Sequence, residues 1–271
     1  MGRGSGQTGR LKGRKAVILG AGTRGNMGQV IAARFLEEGA HVVVAGRDRV
    51  ELARFADVSC CGWQWCDITD ADSIAALGAS TEEQMGGVDI AVNSTGWGLM
   101  KSFLETTVDE IDRMNALQLR GPFVFIQEMV KAMTGGGSII QISSIVAKIM
   151  VHDHAAYMAT KAGTDHLIRI AANEFGSRGI RANSISPALT ATPMARDFMS
   201  AAPAYIPQFP LGRIGTADDI AAAAVWLASE ECFMSGENLQ VNGGFSLRRH
   251  PTKDEIAATG TRLPYLAGKD G

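Results

Sequence analysis

Short apolar runs, each followed by a turn and then by a segment with apolar residues three and four apart, alternate along most of this chain. Residues 15–19 (KAVIL) and 41–45 (HVVVA) are predicted strands, and residues 27–38 carry the helical spacing between them. Further strands are expected near 62–66, 88–92, 138–142, 180–185 and 238–241, with helices in the intervals, among them 108–133 and 155–175. The helix after the second strand opens with Asp48-Arg-Val-Glu51, a capping-box pattern. The strand runs are apolar throughout instead of alternating, which fits a sheet covered on both faces. Strand-helix alternation implies α/β, a Rossmann-type doubly wound parallel sheet of about seven strands. The 271 residues suit one domain, and no internal repeat or interdomain linker interrupts the pattern.

Three stretches fall outside the alternation. Residues 1–13 are rich in Gly and Arg with little that is apolar, and are expected to form a flexible arm. Residues 189–211 hold Met194, Phe198, Met199, Tyr205, Ile206, Phe209 and four prolines; they are too irregular for a sheet element and read as a lid over an apolar pocket. Residues 245–271 run past the last strand as a C-terminal extension whose Ile256, Leu263, Tyr265 and Leu266 need a surface, on this subunit or across a subunit boundary. Charge adds an exclusion: 26 basic and 28 acidic residues nearly cancel, leaving no field for nucleic acid or an anionic membrane. Cys60, Cys61, Cys66 and Cys232 lack metal-site spacing and histidine partners, so they are expected to be reduced, mostly buried thiols and no metal is expected. With no secretory segment and no apolar stretch of transmembrane length, the expected location is cytoplasmic.

Two clusters carry chemistry. Gly20-Ala-Gly22-Thr23-Arg24-Gly25-Asn-Met27-Gly28 lies between the first strand and the first helix, where glycines let the backbone turn tightly and present N–H groups at a helix N-terminus to a pyrophosphate. The other cluster runs from Ser144, at the end of an apolar strand, to Tyr157 and Lys161 on an Ala-rich helix. At i and i+4 the phenol and the ammonium share a helix face. Bringing a tyrosine from about 10 to near 7 needs roughly 4 kcal/mol in favour of phenolate. A cation ~4 Å away at an effective dielectric of about 20 supplies about that much, which would make Tyr157 a proton donor or acceptor at neutral pH. The Ser144 hydroxyl would hold a substrate oxygen beside it.

These motifs, with Asn93-Ser-Thr95-Gly96 after one strand and Asn183-Ser-Ile-Ser-Pro187 after another, appear in the order that resembles the short-chain dehydrogenase/reductase family, in particular its NADP-preferring carbonyl reductase and 3-oxoacyl-carrier-protein reductase branch. The resemblance spans residues 14–244. It implies hydride transfer between C4 of a nicotinamide and a ketone or secondary alcohol, with Tyr157 as general acid/base, Lys161 holding both the tyrosine and the nicotinamide ribose, and Ser144 orienting the carbonyl. It places Gln118 where the family carries an asparagine that links the lysine to solvent through water. It assigns cofactor contacts to the glycine turn, to Asp67 and Ile68 at the adenine, to Asn93 and Thr95, and to Pro187 and Thr192 near the carboxamide. Trp97, His152, His154, Met194 and Phe198 become candidate pocket residues. The chain departs from the pattern in three places: one residue is inserted in the glycine turn at Asn26 or Met27, Gln118 replaces asparagine, and Ala188 replaces the glycine after Pro187. Gly46 stands where the family's NAD-binding members carry an acid, and Arg24 and Arg47 suit a 2′-phosphate, so NADP(H) is expected over NAD(H), with Asp48 as the one opposing carboxylate. Family members commonly pair the helices of residues 108–133 and 155–175 across a two-fold axis, which implies a homotetramer. A 3-oxoacyl-thioester reductase, or a nucleotide-binding protein with little activity, are the rival readings.

Overall fold

The structure is a computed structural model, and it describes residues 9–261. In chain order these form β1 (Lys15–Leu19), α1 (Met27–Glu37), β2 (His41–Gly46), α2 (Arg49–Ser59), β3 (Gly62–Trp65), α3 (Ala71–Met85), β4 (Ile90–Asn93), α4 (Val108–Asn115), α5 (Gly121–Ala132), β5 (Gly137–Ile142), α6 (Ala155–Phe175), β6 (Ile180–Pro187), β7 (Thr190–Ala191), α7 (Ala202–Tyr205), β8 (Gly215–Thr216), α8 (Ala217–Ala228), β9 (Asn238–Val241) and α9 (Lys253–Ala257). Seven strands make one sheet in the order β3-β2-β1-β4-β5-β6-β9. Every pairing in it is parallel. Strand order reverses between β1 and β4, whose last residues, Leu19 and Asn93, lie side by side. A crevice at the carboxyl ends of the strands, at such a switch point, is where open α/β sheets bind ligands.

The apolar strand runs are explained by two cores. Ala16 and Ile18 of β1 pack with Ile31 and Phe35 of α1 and with Ile220 and Val225 of α8. Val17 and Leu19 point the other way, into Leu77 of α3, Phe125 and Met129 of α5 and Leu167 of α6. All four strand residues are fully buried, and each of Val17, Ile18 and Leu19 contributes about 1.5–3 kcal/mol. A third cluster, with Ile145, Val146, Tyr205, Phe209, Phe245 and Ile256, lies apart from the sheet and under the irregular segments.

Several expectations change. Leu11, assigned to the flexible arm, is fully buried with the α1–α8 core, and its N–H donates to Glu38 O at 3.0 Å, so residues 9–13 pack on the domain; residues 1–8 lie outside the described part. The capping box of α2 is half made. Asp48 accepts from the N–H groups of Val50 and Glu51, while the Glu51 carboxylate turns to Arg54 and Gln29. The helix expected over 108–133 is interrupted by a π turn at Ala116–Arg120. Residues 189–211 contribute the short β7, which pairs with β8, and then run as 3₁₀ and α turns. Cys60 ends α2 in the left-handed conformation (φ 52°) and is exposed, while Cys66 and Cys232 are buried. The C-terminal extension folds onto its own subunit as far as it is described: Ile256 of α9 is buried against Tyr205, Phe209 and Phe245. Leu263, Tyr265 and Leu266 lie outside the described residues.

Candidate active site

The first wall of the site is built from backbone. Gly20 takes φ +102°, and a β-carbon there would lie 2.5 Å from Ser94 Oγ. One on Gly28 would lie 2.6 Å from Gly20 O and 2.7 Å from Ser94 Oγ. These two glycines allow β1, β4 and α1 to close on one another. The insertion in the turn has a defined job: Asn26 caps α1 by accepting from Gln29 N, and its Nδ2 donates to Gly20 O at 2.7 Å. Gln29, which no motif singled out, is buried; it donates to Ala21 O and to Glu51 and accepts from Gly25 N. On the neighbouring strand end, buried Asn93 accepts from both the N–H and the hydroxyl of Thr95 and donates to Gln141. Asn26, Met27, Gly28, Thr95, Pro187 and Thr192 line the resulting crevice, of about 200 Å³, together with Tyr157 and Lys161.

Thr23, Arg24, Gly25 and Arg47 are exposed around the far end of the turn. Arg47 O accepts from the Trp65 indole at 3.1 Å, and the Arg49 guanidinium stacks over that ring. Gly46 is closed to any side chain, because a β-carbon there would sit 2.9 Å from Gly22 N. Asp67 is occupied in a local turn, accepting from the N–H and hydroxyl of Thr69. Ile68 is buried in the α3–α5–α6 core, and neither residue lines the crevice or the cavity below.

Ser144, Tyr157 and Lys161 come together as their spacing requires. Ser144 follows β5 by two residues and caps the 3₁₀ turn Ile145–Ala147. The Lys161 ammonium is buried, donates to Ile142 O at 2.9 Å and lies 5.7 Å from the Tyr157 ring centroid. Burial pushes Lys161 down to about 8, against the opposing pull of the Asp165 carboxylate. The expected low-pKa tyrosine is not found: burial raises Tyr157 above its ordinary value, and a hydrogen bond with Ser144 offsets that only partly. The Lys161 ammonium is committed to Ile142 O and makes no hydrogen bond to the phenol oxygen. Gln118 is buried on the π turn, with its Nε2 toward Met114 Sδ and 3.3 Å from Thr160 Oγ1. Its Oε1 has no partner, and a β-carbon on Gly96 would lie 3.5 Å from that oxygen and 3.8 Å from Lys161 Nζ. Gln118 therefore borders the lysine but makes no hydrogen bond to it.

A second cavity, of about 950 Å³, opens on the other side of Tyr157. It shares Gly96, Ser144, Tyr157, Ala188, Leu189, Met194 and Ala195 with the crevice. All five proposed pocket residues border it: Trp97, stacked on Arg113 at 4.2 Å, exposed His152, half-buried His154 and Phe198, and exposed Met194. His154 meets Tyr157 edge-on at 5.8 Å, donates through Nδ1 to Asp153 O, and is held below its ordinary pKa by burial. Asp153 takes φ +61°, a conformation costing a non-glycine residue about 1–2 kcal/mol. Three contacts hold it there: Lys101 N and His154 Nδ1 both donate to its carbonyl, and its carboxylate pairs with Lys253 of α9. The remaining wall comes from Phe245, Arg249, His250, Pro251 and Thr252 of the C-terminal extension, which no motif assigned to the pocket. His250 is pushed down to about 4, first by burial and then by the neighbouring His154.

A family model described as "Enoyl-(Acyl carrier protein) reductase" matches residues 20–246, which include the glycine turn, Ser144, Tyr157 and Lys161. The chain belongs to the short-chain dehydrogenase/reductase family. It is 31% identical over 249 residues to D-threitol dehydrogenase of Mycolicibacterium smegmatis, covering 88% of this chain and 95% of that protein. It is 33% identical over 250 residues to 2,5-dichloro-2,5-cyclohexadiene-1,4-diol dehydrogenase LinX of Sphingobium indicum, covering 88% and 98%. Among solved structures, a short-chain type dehydrogenase/reductase from Mycobacterium ulcerans superposes with a TM-score of 0.87 at 27% identity, covering 96% of this chain and 99% of the other. As a short-chain dehydrogenase/reductase, the protein is an oxidoreductase of alcohols and ketones that uses a nicotinamide cofactor. No helix among the described residues is long and apolar enough to cross a membrane.

Proposed function

We propose that the protein is an NADP(H)-dependent dehydrogenase/reductase that interconverts a ketone and a secondary alcohol, with Tyr157 as the general acid/base. The observation that carries this reading is the junction: Ser144 and Tyr157 border both the crevice at the strand switch point and the larger apolar-walled cavity. A reacting oxygen held there would touch the proton donor while its carbon faces the crevice. The residues of the crevice suit a dinucleotide, since glycines stand at each close backbone crossing and Asn26, Thr95, Thr192 and Lys161 offer polar groups toward the space. When bound, the nicotinamide supplies or takes the hydride. Ser144 would donate to the carbonyl oxygen and Tyr157 would deliver the proton as charge develops on it. Burial raises the Tyr157 hydroxyl above its ordinary value, so the phenol would stay protonated until charge develops on the substrate oxygen beside it.

Preference for NADP(H) is supported by Gly46, where the backbone of Gly22 leaves no room for a carboxylate, and by the exposed Arg24 and Arg47. Asp48, the opposing candidate, is engaged as the cap of α2. Relatives whose names give polyhydroxylated substrates, a linear tetrol in one case and a cyclic diol in another, together with a cavity of about 950 Å³, support a substrate with more than one oxygen function. Homotetramer formation belongs to the same reading and is supported by the exposed Val108, Ile111, Leu119 and Phe123 around α4 and α5. The test is turnover of NADPH with a panel of ketones, hydroxyketones and acyl thioesters, and of NADP with the matching alcohols, by the chain and by Tyr157→Phe. The variant should bind NADPH normally and lose turnover by about 100- to 10,000-fold, the range of general acid/base catalysis. Retention of a tenth of the activity would remove Tyr157 from the role.

A further inference from the structure

β9, at the edge of the sheet, and the residue that follows it carry amide side chains at alternate positions, Asn238, Gln240 and Asn242. They form a directed ladder. Gly244 N–H donates to Asn242 Oδ1, Asn242 Nδ2 to Gln240 Oε1 at 3.0 Å, Gln240 Nε2 to Asn238 Oδ1 at 2.7 Å, and Asn238 Nδ2 to Asp165 Oδ2. Each amide is oriented by the one before it, so every rung delivers an N–H toward the carboxylate and none asks it for a proton. Asp165 lies on α6 one turn beyond Lys161 and two beyond Tyr157, so all three share a helix face. Burial raises Asp165 above the ordinary carboxylate value, and the Ser143 and Ser184 hydroxyls, Asn238 and Lys161 pull it back toward the charged form, although neither the two hydroxyls nor Oδ1 reach the geometry of a formed hydrogen bond. Of the groups facing Asp165 from β5, β6, β9 and its own helix, Lys161 is the charged one. Asp165 likewise is the charged group acting on Lys161.

We propose that Asp165 is a positioning residue for the reaction: its carboxylate, oriented by the amide ladder of β9, is the buried counter-charge that keeps Lys161 an ammonium ion behind Tyr157. A structural carboxylate in this place would need only partners. This one has a cation one turn along the helix and a chain of donors ordered toward it, an arrangement that favours the charged carboxylate where water is scarce. The inference rests on the assignment of Tyr157 and Lys161 as the reacting pair, and it explains how a buried lysine, which burial pushes toward neutrality, retains its proton at neutral pH.

Asp165→Asn keeps the shape and removes the charge. Two readouts are needed, one of them independent of turnover. In protein carrying ¹³C-labelled lysine side chains, with the Lys161 resonance assigned by its loss in Lys161→Met, the Lys161 titration midpoint should move to lower pH in Asp165→Asn. The alkaline limb of ketone reduction should move the same way, so that each unit of displacement lowers the rate about tenfold on that limb. Asn238→Ala leaves the carboxylate but cuts the ladder, and should move both quantities in the same direction by less. If Asp165→Asn does not fold, Asn238→Ala alone decides. An unmoved lysine midpoint, or a turnover loss that is uniform with pH and tracks the fall in Tm, would overturn the proposal. Turnover absent from the parent protein with every carbonyl tested would instead defeat the functional reading, while the lysine titration would still report on Asp165.

Discussion

The crevice and the cavity meet at Tyr157 but are held together in different ways. The crevice is closed by backbone: glycines at 20, 22, 28 and 46 stand where a side chain would strike a neighbouring main chain or the Ser94 hydroxyl, and Asn26, Gln29 and Asn93 tie that main chain down. The cavity is closed by side chains on segments that run beside the sheet, residues 189–209 and 245–256, and one of its ties is the ion pair between Lys253 and Asp153. A wall made of close-packed backbone tolerates no added atoms, whereas one made of exposed or half-exposed side chains can be rebuilt. Recognition of a common cofactor suits the first, and selection among substrates suits the second.

That contrast can be broken most severely at Gly28. Gly28→Ala places a methyl group against Gly20 O and Ser94 Oγ at distances that force the turn open. It should weaken NADPH binding by about 100-fold or more, since misplaced donors lose their hydrogen bonds to charged oxygens. Cofactor titration by fluorescence measures this, and affinity within threefold of the parent's would show that the crevice can flex after all. Arg47→Ala is the next largest. Loss of a charge-assisted hydrogen bond should weaken NADPH by roughly 10- to 100-fold and leave NADH nearly unchanged; equal losses for both would make Arg47 structural. Lys253→Ala sharpens the other side of the comparison and should have the smallest effect. Its pair with Asp153 is half exposed on the lysine side, so stability should change by no more than about 1 kcal/mol. KM for the carbonyl should change severalfold with cofactor affinity unmoved, and a parallel loss of cofactor affinity would show that the two walls are coupled.

The sheet was legible because its strands announce themselves: an apolar run buried on both faces, as at Ala16–Leu19, can hardly be read otherwise. Ser144, Tyr157 and Lys161 were legible because helical spacing and a strand end fix where they meet. Asp165 was not, though it continues the same four-residue spacing, because a polar residue on a long helix usually faces water. Its meaning depends on Asn238, Gln240 and Asn242, more than seventy positions away, where alternation along β9 was the missed signal. Gln29 escaped notice for a similar reason: it sits in an ordinary helical pattern, and only the folded turn shows three groups converging on its amide. Leu11 was lost among glycines and arginines, where a single apolar side chain gives no periodicity. The tyrosine's proton affinity was misread because sequence spacing sets how near a lysine can come, not which oxygen it will choose.

The π turn at Ala116–Arg120, closed by Gly121 N–H to Ala116 O, amounts to one residue more than an α-helix needs over that span. An α-helix advances about 100° per residue, so deleting one residue there to restore a regular helix would turn α5 by that angle relative to α4. Phe125 and Met129 would then swing away from Leu77 and Leu167, with which they share a core. Counted this way, the extra residue is a fixed length in the chain's ruler: a substitution on either side of it changes one contact, whereas a deletion turns the whole of α5.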